Sequence, residues 1–364
     1  MKEKKMAQQE QLGYLESTIR KIYPQDLSFR NEATGRLQQL TMPRWALGRL
    51  MDLAVDLAGM TRSMQPPVAR KTIVVMAGDH GVTAEGVSAY PAEVTTQMVH
   101  NIMDRGAGIN ALAGQAGAGI VVVDMGAKDP FTSLRDSPGF IAKKIAPGTA
   151  NISQGPAMSR THAVMTVEAG IEIANQLAPE VDVFGTGEMG IGNTTSSSAI
   201  AAVLTGKAAA ELTGSGTGIS QEQLDHKIAV VQQALEVNKP DKRDGLDVLA
   251  KVGGYEIGGI AGLILGAAAL QKPVVVDGFI ATAGALIAYS LEPFVRDYII
   301  CAHQSVEPGH GFMQEKMQLE PLFDLQLRLG EGTGAAFAMN SLEAAVAILT
   351  EVKTFAEAGV SGKS

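Results

Sequence analysis

Five short runs of β-branched and other apolar residues constrain the fold of this chain more than any other feature. Each run ends at turn or polar residues, and helical stretches such as 161–177 and 221–237 lie between the runs. Strands that are apolar on both faces are typical of a parallel sheet covered by helices. The alternation therefore predicts an α/β fold with a Rossmann-like, doubly wound and mainly parallel sheet. The runs are Ile73–Met76, Ile120–Val123, Val181–Phe184, Val274–Val276 and Tyr298–Cys301.

Both ends of the chain depart from this alternation. Residues 10–60 have helical periodicity that is interrupted at Pro43, and residues 332–358 are helical in pattern and rich in alanine. These segments predict a smaller all-helical domain formed from both termini. We place the Rossmann-like, substrate-binding domain at 61–310 and the small helical domain at 1–60 plus 311–364.

Charge and composition narrow the class of protein. The 364 residues carry a formal charge of −8, which argues against a sequence-independent nucleic-acid binder. The longest apolar run, 257–270, is shorter than the ~20 residues that a membrane span requires. The single cysteine, Cys301, suits a reducing compartment and is expected to be buried in a strand. We therefore expect a cytoplasmic protein that neither inserts into a membrane nor binds nucleic acid.

Glycine-rich segments follow several of the expected strands, at the sheet edge where α/β proteins bind ligands. Gly185-x-Gly187-x-x-Gly190 formally matches a dinucleotide fingerprint, placed after a strand and before a helix. No second strand with an acidic residue follows it, so a nicotinamide cofactor is not expected. A second cluster, 214–218, leads into a helix capped by Ser220 and Gln223. The two segments suggest one phosphorylated ligand held by backbone N–H groups, with ordinary turns as the alternative.

Neither a metal nor a pyrophosphorylated ribose donor is indicated. Asp124 and Asp277 are each the single acidic residue after their strands. Enzymes that use a pyrophosphorylated ribose donor carry two adjacent acidic residues after a strand, which bind the ribose and magnesium. His303 and His310 flank Glu307, but the Pro-Gly pair between them breaks the helical spacing that would bring all three to one ion. We predict no metal site and no cofactor.

Two glutamates beside glycines are the sharpest catalytic signal. Glu331 lies in Gly-Glu-Gly-Thr-Gly and Glu188 in Gly-Glu-Met-Gly. Glycine neighbours let a carboxylate approach a flat ligand, and a semi-apolar cleft would raise its pKa toward the range of a general base. A helix-capping carboxylate is the alternative for each residue.

Six motifs occur in a fixed order between about Thr34 and Phe355. They are 78–82 (GDHGV), 86–98 (GVSAYPAEVTTQM), 187–195 (GEMGIGNTT), 277–279 (DGF), 305–310 (SVEPGH) and 327–334 (LRLGEGTG). Together they closely resemble the nicotinate-nucleotide:5,6-dimethylbenzimidazole phosphoribosyltransferase family, which makes the lower-ligand nucleotide of cobalamin.

This resemblance implies specific roles. Glu331 would act as the general base, and Glu188 and Lys227 would also line the active site, although Lys227 could instead be a solvated helix lysine. Ser88, Tyr90 and Gln97 would help to form the pocket for the aromatic base. The remaining substrate-binding residues would be Gly190, Ile191, Gly192, Asn193, Thr194, Gly216, Thr217, Gly218, Ser305 and Leu329.

The implied reaction transfers the 5-phosphoribosyl group of nicotinate mononucleotide to 5,6-dimethylbenzimidazole with inversion at C1. It gives α-ribazole 5'-phosphate and nicotinate, and the family is homodimeric. Because nicotinate leaves from a pyridinium, neither a general acid nor magnesium is required, and one base suffices for the incoming benzimidazole. The alternative is a non-catalytic sensor that binds nucleotides or benzimidazoles in the same cleft.

Overall fold

A six-stranded parallel sheet forms the centre of the computed structural model, which describes residues 13–216 and 218–361. The strand order is β3-β2-β1-β4-β5-β6, and every neighbouring pair is parallel. Successive strands move outward from β1 in one direction and then from β4 in the other, so the predicted doubly wound fold is confirmed. The strands are β1 (Lys71–Gly78), β2 (Gly119–Gly126), β3 (Phe140–Ala142), β4 (Val183–Met189), β5 (Val274–Val276) and β6 (Ile299–Cys301).

Helices surround the sheet. The described α-helices are α1 (Tyr14–Ile19), α2 (Leu27–Leu37), α3 (Arg49–Thr61), α4 (Val94–Met103), α5 (Gly108–Gln115), α6 (Arg160–Leu177), α7 (Asn193–Thr205), α8 (Ala209–Leu212), α9 (Gln221–Asn238), α10 (Gly245–Val252), α11 (Tyr255–Ala269), α12 (Phe279–Leu291), α13 (Gly309–Met317), α14 (Thr333–Glu351) and α15 (Phe355–Ala358). Short 3₁₀ turns occupy Gly81–Glu85, Thr132–Leu134 and Pro293–Tyr298. The predicted capping box at the start of α9 is confirmed.

The sequence prediction was wrong about the start and extent of β4. This strand begins at Val183 and continues to Met189, so Gly185 and Gly187 lie inside it, paired with β1, rather than in a loop after it. A side chain at Gly185 would overlap β1 and α14, and one at Gly187 would overlap the backbone of Glu331. The glycines therefore serve close packing. The sequence pattern also missed β3, an edge strand of three residues.

Helices from the N-terminal and C-terminal segments contact each other. Helices α2 and α3 pack together, and both contact α14. Backbone hydrogen bonds join Thr41 to Lys353 and Phe355 to Gln39, and the Arg36 guanidinium donates to the carbonyl of Leu349 at 2.7 Å. Helix α14 also packs directly on β1, β4 and β5, so the C-terminal segment bridges the helical layer and the sheet. The domain limits at 60/61 and 310/311 stay a prediction.

Two apolar helices are explained by this packing. The run 257–270 forms most of α11, which is buried against α6 where Gly262 meets Gly170. Among the described helices, α14 alone is long and apolar enough to cross a membrane, judged by length and composition only, and more than half of its apolar stretch is buried within the protein. Cys301 is buried in β6 as predicted, and burial raises the pKa of its thiol to about 12.

Candidate active site

A cavity of about 710 Å³ lies beyond the carboxyl ends of β4, β5 and β6. It occupies the sheet edge where this class of fold binds ligands. Twelve of the sixteen residues predicted for the site line it. They are Ser88, Tyr90, Glu188, Gly190, Ile191, Gly192, Asn193, Thr194, Gly216, Ser305, Leu329 and Glu331.

The other four predicted residues do not line this cavity. Gln97 is exposed on α4, which turns Val94 and Met98 toward the cavity instead. Lys227 is buried behind the wall, and Gly218 is exposed. Thr217 lies outside the described residues.

Glu331 sits in a turn of three consecutive residues with left-handed backbone. The φ angles are +86° at Gly330, +61° at Glu331 and +96° at Gly332. Glycine adopts this region freely, but a glutamate in it is strained by the contact between its Cβ and the backbone. The turn leads directly into α14. It thereby aims a carboxylate into the cavity from the start of a long, buried helix.

The Glu331 carboxylate is buried, and one of its two oxygens accepts a backbone hydrogen bond. Its Oε2 accepts a hydrogen bond from the backbone N–H of Ile109, 3.1 Å away in the first turn of α5. Burial raises the pKa of Glu331, the Ile109 hydrogen bond opposes that rise, and the charge of Asp277 adds to it. A carboxylate whose pKa is raised toward the working pH is suited to accept a proton from a substrate.

Glu188, at the end of β4, faces the same turn. Burial, with the charges of Asp277 and Glu256, raises its pKa to about 8. Its carboxylate accepts hydrogen bonds from the Asn193 side-chain amide and from the backbone N–H of Glu331. Two glutamates from separate segments are thus joined through a backbone hydrogen bond.

A neighbouring part of the wall is built from the glycine-rich backbone at the start of α7. Gly192 has φ +94° and begins α7, whose first residues, Asn193 and Thr194, line the cavity. The backbone N–H of Ile191 donates to Thr95 Oγ1 at 3.0 Å, which fixes the loop against α4. A helix N-terminus of this kind presents N–H groups and a positive dipole end to an anion.

Lys227 supports that wall from behind. Its Nζ donates to Thr194 Oγ1 at 2.9 Å and to the carbonyl of Gly214 at 3.1 Å. Burial lowers its pKa to about 8, and the charge of Glu307 opposes that change. Lys227 therefore ties α9 to both glycine-rich segments, with its ammonium group one side chain away from the cavity.

Comparisons with known proteins identify the family of this chain. A family model described as phosphoribosyltransferase matches residues 22–360. Curated nicotinate-nucleotide–dimethylbenzimidazole phosphoribosyltransferases from Syntrophotalea carbinolica and Desulfotalea psychrophila are 59% and 58% identical, over 96% of this chain and 99% of each relative. The crystal structure of the enzyme of that name from Thermus thermophilus is 43% identical with a TM-score of 0.87, and covers 93% of this chain and 100% of its own. This chain belongs to the nicotinate-nucleotide–dimethylbenzimidazole phosphoribosyltransferase family.

The structure also shows cavity-lining residues to which the sequence analysis assigned no individual role. Asp277, His303 and Glu307 all line the cavity, each at or just after the end of β5 or β6. Their positions just after predicted strands were the feature of the sequence that could have indicated a place in the site. The buried loop after β6 is held by His310, whose Nδ1 accepts the backbone N–H of Ser305 at 2.8 Å. Burial lowers the pKa of His310 to about 3, which keeps this ring neutral.

The titratable residues that line the cavity include carboxylates, His303 and Arg328, and Lys227 lies behind its wall. Within residues 13–216 and 218–361, no group of three or more His, Cys, Asp or Glu side chains is arranged to hold a metal ion. His80, in the motif after β1, is instead buried between Glu256 Oε1 at 2.6 Å and Ser196 Oγ at 3.1 Å. This network joins β1 to α11 and α7 beneath the glycine loop.

Proposed function

We propose that the chain transfers the 5-phosphoribosyl group of nicotinate mononucleotide to 5,6-dimethylbenzimidazole, with inversion at C1. The observation that carries the proposal is the distribution of groups within one cavity. One part of the wall carries Glu331, a buried carboxylate with a raised pKa, and another part is a helix N-terminus backed by Lys227. The relatives named above supply the substrate identity.

The proposed chemistry needs one proton acceptor. The bond between C1 and the nicotinate nitrogen breaks, and its electron pair returns to the ring and neutralises the pyridinium. A benzimidazole nitrogen forms the new bond on the opposite face of C1. The proton on the other benzimidazole nitrogen passes to the Glu331 carboxylate. Holding both bases in line lowers the barrier by proximity, without a covalent intermediate.

The proposed binding roles follow these two parts of the cavity wall. Gly190–Thr194, Gly216 and Ser305 would hold the phosphate and ribose, with Lys227 countering the phosphate charge through Thr194. Ser88, Tyr90 and Leu329 would border the aromatic base near Glu331. Gln97 and Gly218, which are exposed, would contribute only through a rearrangement of their segments.

Product analysis separates this enzyme from a sensor that binds the same molecules. The protein is incubated with nicotinate mononucleotide and dimethylbenzimidazole, and α-ribazole 5'-phosphate and free nicotinate are quantified by chromatography. We expect both products in equal amounts. Binding of either substrate without product, across several benzimidazoles and purines, would favour the sensor. The identity of the relatives as named transferases supports the enzyme.

We also propose that the chain acts as a cytoplasmic homodimer. Tyr90, Leu325 and Leu329 are at least half exposed beside the cavity, as expected for apolar side chains that a second copy would cover. The acidic composition and single buried cysteine suit a reducing compartment. Light scattering should give twice the chain mass of 38.1 kDa, whereas a monomer at micromolar concentration would contradict the dimer.

A further inference from the structure

Asp277 is the buried carboxylate that connects the end of β5 to the Glu331 turn. Its Oδ2 accepts the backbone N–H of Gly332 at 3.1 Å, and its Oδ1 accepts that of Ala335 at 3.0 Å. The backbone N–H of Gly334 also donates to it. Both oxygens act as acceptors, which fits the ionised carboxylate at the N-terminus of α14.

The turn needs such an anchor because its backbone is strained. Left-handed geometry at a residue other than glycine costs about 1–3 kcal/mol and persists only where the surroundings enforce it. Asp277 fixes the residues that follow Glu331, and Glu188 accepts the N–H of Glu331 itself. The carboxylate of Glu331 is thus placed by two other carboxylates, of which Asp277 binds three N–H groups.

Charged groups reach Asp277 from three elements. Glu188 lies at the end of β4, Glu331 in the turn, and His303 after β6 with its Nε2 3.9 Å from Asp277 Oδ1. The charge of Asp277 raises the pKa values of both glutamates, while Glu256 acts on Glu188 as well. Burial raises the pKa of Asp277, and its electrostatic interaction with His303 opposes that rise.

We propose that Asp277 is the positioning residue of the Glu331 turn and that, together with His303, it sets the pH range in which Glu331 accepts a proton. This inference rests on the proposed function, because it assigns Glu331 the role of proton acceptor. Asp277 acts through the backbone and through its charge.

The test is Asp277→Asn, which keeps the shape of the side chain but removes its charge and one acceptor. We expect kcat to fall by about 10–10² because the turn loses its fixed position. The KM for nicotinate mononucleotide should stay within about threefold, since the part of the wall at the start of α7 is untouched. The acidic limb of the kcat profile should move to lower pH by about 0.5 unit, because a negative charge beside Glu331 is gone.

Asp124→Asn is the matched control. Asp124 likewise lies at the end of a parallel strand, β2, and is buried, accepting the N–H of Ala127 at 3.0 Å and pairing with Lys144 at 2.8 Å. It does not line the cavity. Its substitution should lower the unfolding midpoint in urea without moving the acidic limb.

A titration of the Glu331 carboxyl carbon by carbon-13 NMR makes the result independent of turnover. Glutamate is labelled at the carboxyl carbon, and the signal is assigned by its loss in Glu331→Gln. A lower midpoint of the Glu331 titration in Asp277→Asn supports the inference. Absence of α-ribazole 5'-phosphate with the wild type would overturn the proposed function but would not change this result. An unchanged midpoint together with an unchanged kcat overturns the inference.

His303→Gln covers the case in which Asp277→Asn does not fold. Removing the ring that opposes the charge of Asp277 should move the Glu331 midpoint to higher pH, opposite to the first variant. A midpoint equal to that of the wild type would overturn the proposed coupling.

Discussion

Two adjoining parts of the cavity wall, the carboxylate end around Glu331 and the N–H end at the start of α7, hold their groups by opposite means. At the carboxylate end, Glu188, Asp277 and Glu331 are crowded together, and burial raises their pKa values. At the N–H end, the start of α7 faces the cavity and a single buried cation, Lys227, has its pKa lowered. Burial at the first end favours the protonated form of the two glutamates, and burial at the second favours the neutral form of Lys227. Burial, more than net charge, therefore shifts the pKa values at both ends, upward for the carboxylates and downward for Lys227.

Removing the proton acceptor at the carboxylate end should have the largest effect. Glu331→Gln keeps the size of the side chain but cannot accept the benzimidazole proton, so turnover should fall by about 10²–10⁴. Calorimetry should show that nicotinate mononucleotide still binds, because the N–H end is unchanged. Glu343→Gln, on the same helix and paired with Lys71, is the control. Near-normal turnover of Glu331→Gln would show that Glu331 is not the proton acceptor.

The complementary change at the N–H end should affect binding more than chemistry. Lys227→Met keeps the apolar stem and removes the ammonium that supports Thr194 and Gly214. We expect the Kd for nicotinate mononucleotide to rise about 10–10²-fold, the value of a hydrogen bond to a charged group. Calorimetry compares it with Lys242→Met, an exposed lysine. If both variants bind nicotinate mononucleotide with the same affinity, Lys227 has only a structural role between helices.

The stability cost of alanine at two glycines, Gly332 in the Glu331 turn and Gly206 at the end of α7, compares packing in the turn with packing elsewhere. Gly332 and Gly206 both have positive φ, +96° and +78°, but an added Cβ at Gly332 would lie 2.6 Å from Ile73 Cγ2 whereas Gly206 faces open space. Gly206→Ala should therefore cost about 1 kcal/mol of unfolding free energy, and Gly332→Ala about 2–4 kcal/mol. Urea denaturation measures both. Equal losses would show that the turn is not tightly packed.

Much of the fold followed from local patterns, because strands buried on both faces leave unbroken apolar runs. Strand β3 was missed since three residues at a sheet edge carry no such run. The extent of β4 was missed for another reason. Glycine usually marks a turn, but Gly185 and Gly187 are in the strand because neighbouring backbone and side chains leave no room for a larger residue.

The site residues also divide into those that local sequence predicts and those that depend on distant contacts. Glu331 and Glu188 were found because glycines flank them in the sequence. Asp277 was visible only as a lone acid after a strand, and its contact with the Glu331 turn depends on a separation of more than fifty residues that no local pattern encodes. Lys227 was placed in the site by resemblance, and the structure sets it one side chain behind the wall.

The pH dependence of stability should also distinguish the two ends of the cavity. Glu188 has a folded pKa of about 8 against an ordinary value of 4.5, so the stability it contributes is complete below pH 4.5 and is lost as pH rises to about 8. Lys227 is the reverse: its folded pKa of about 8 lies below 10.5, so the stability it contributes grows as pH rises from about 8 to 10.5. Each window has a slope of at most about 1.4 kcal/mol per pH unit. Urea unfolding across both windows should show Glu188→Gln removing the fall and Lys227→Met removing the rise. Curves that run parallel to the wild type in both variants would mean that burial does not perturb the two ends in opposite directions.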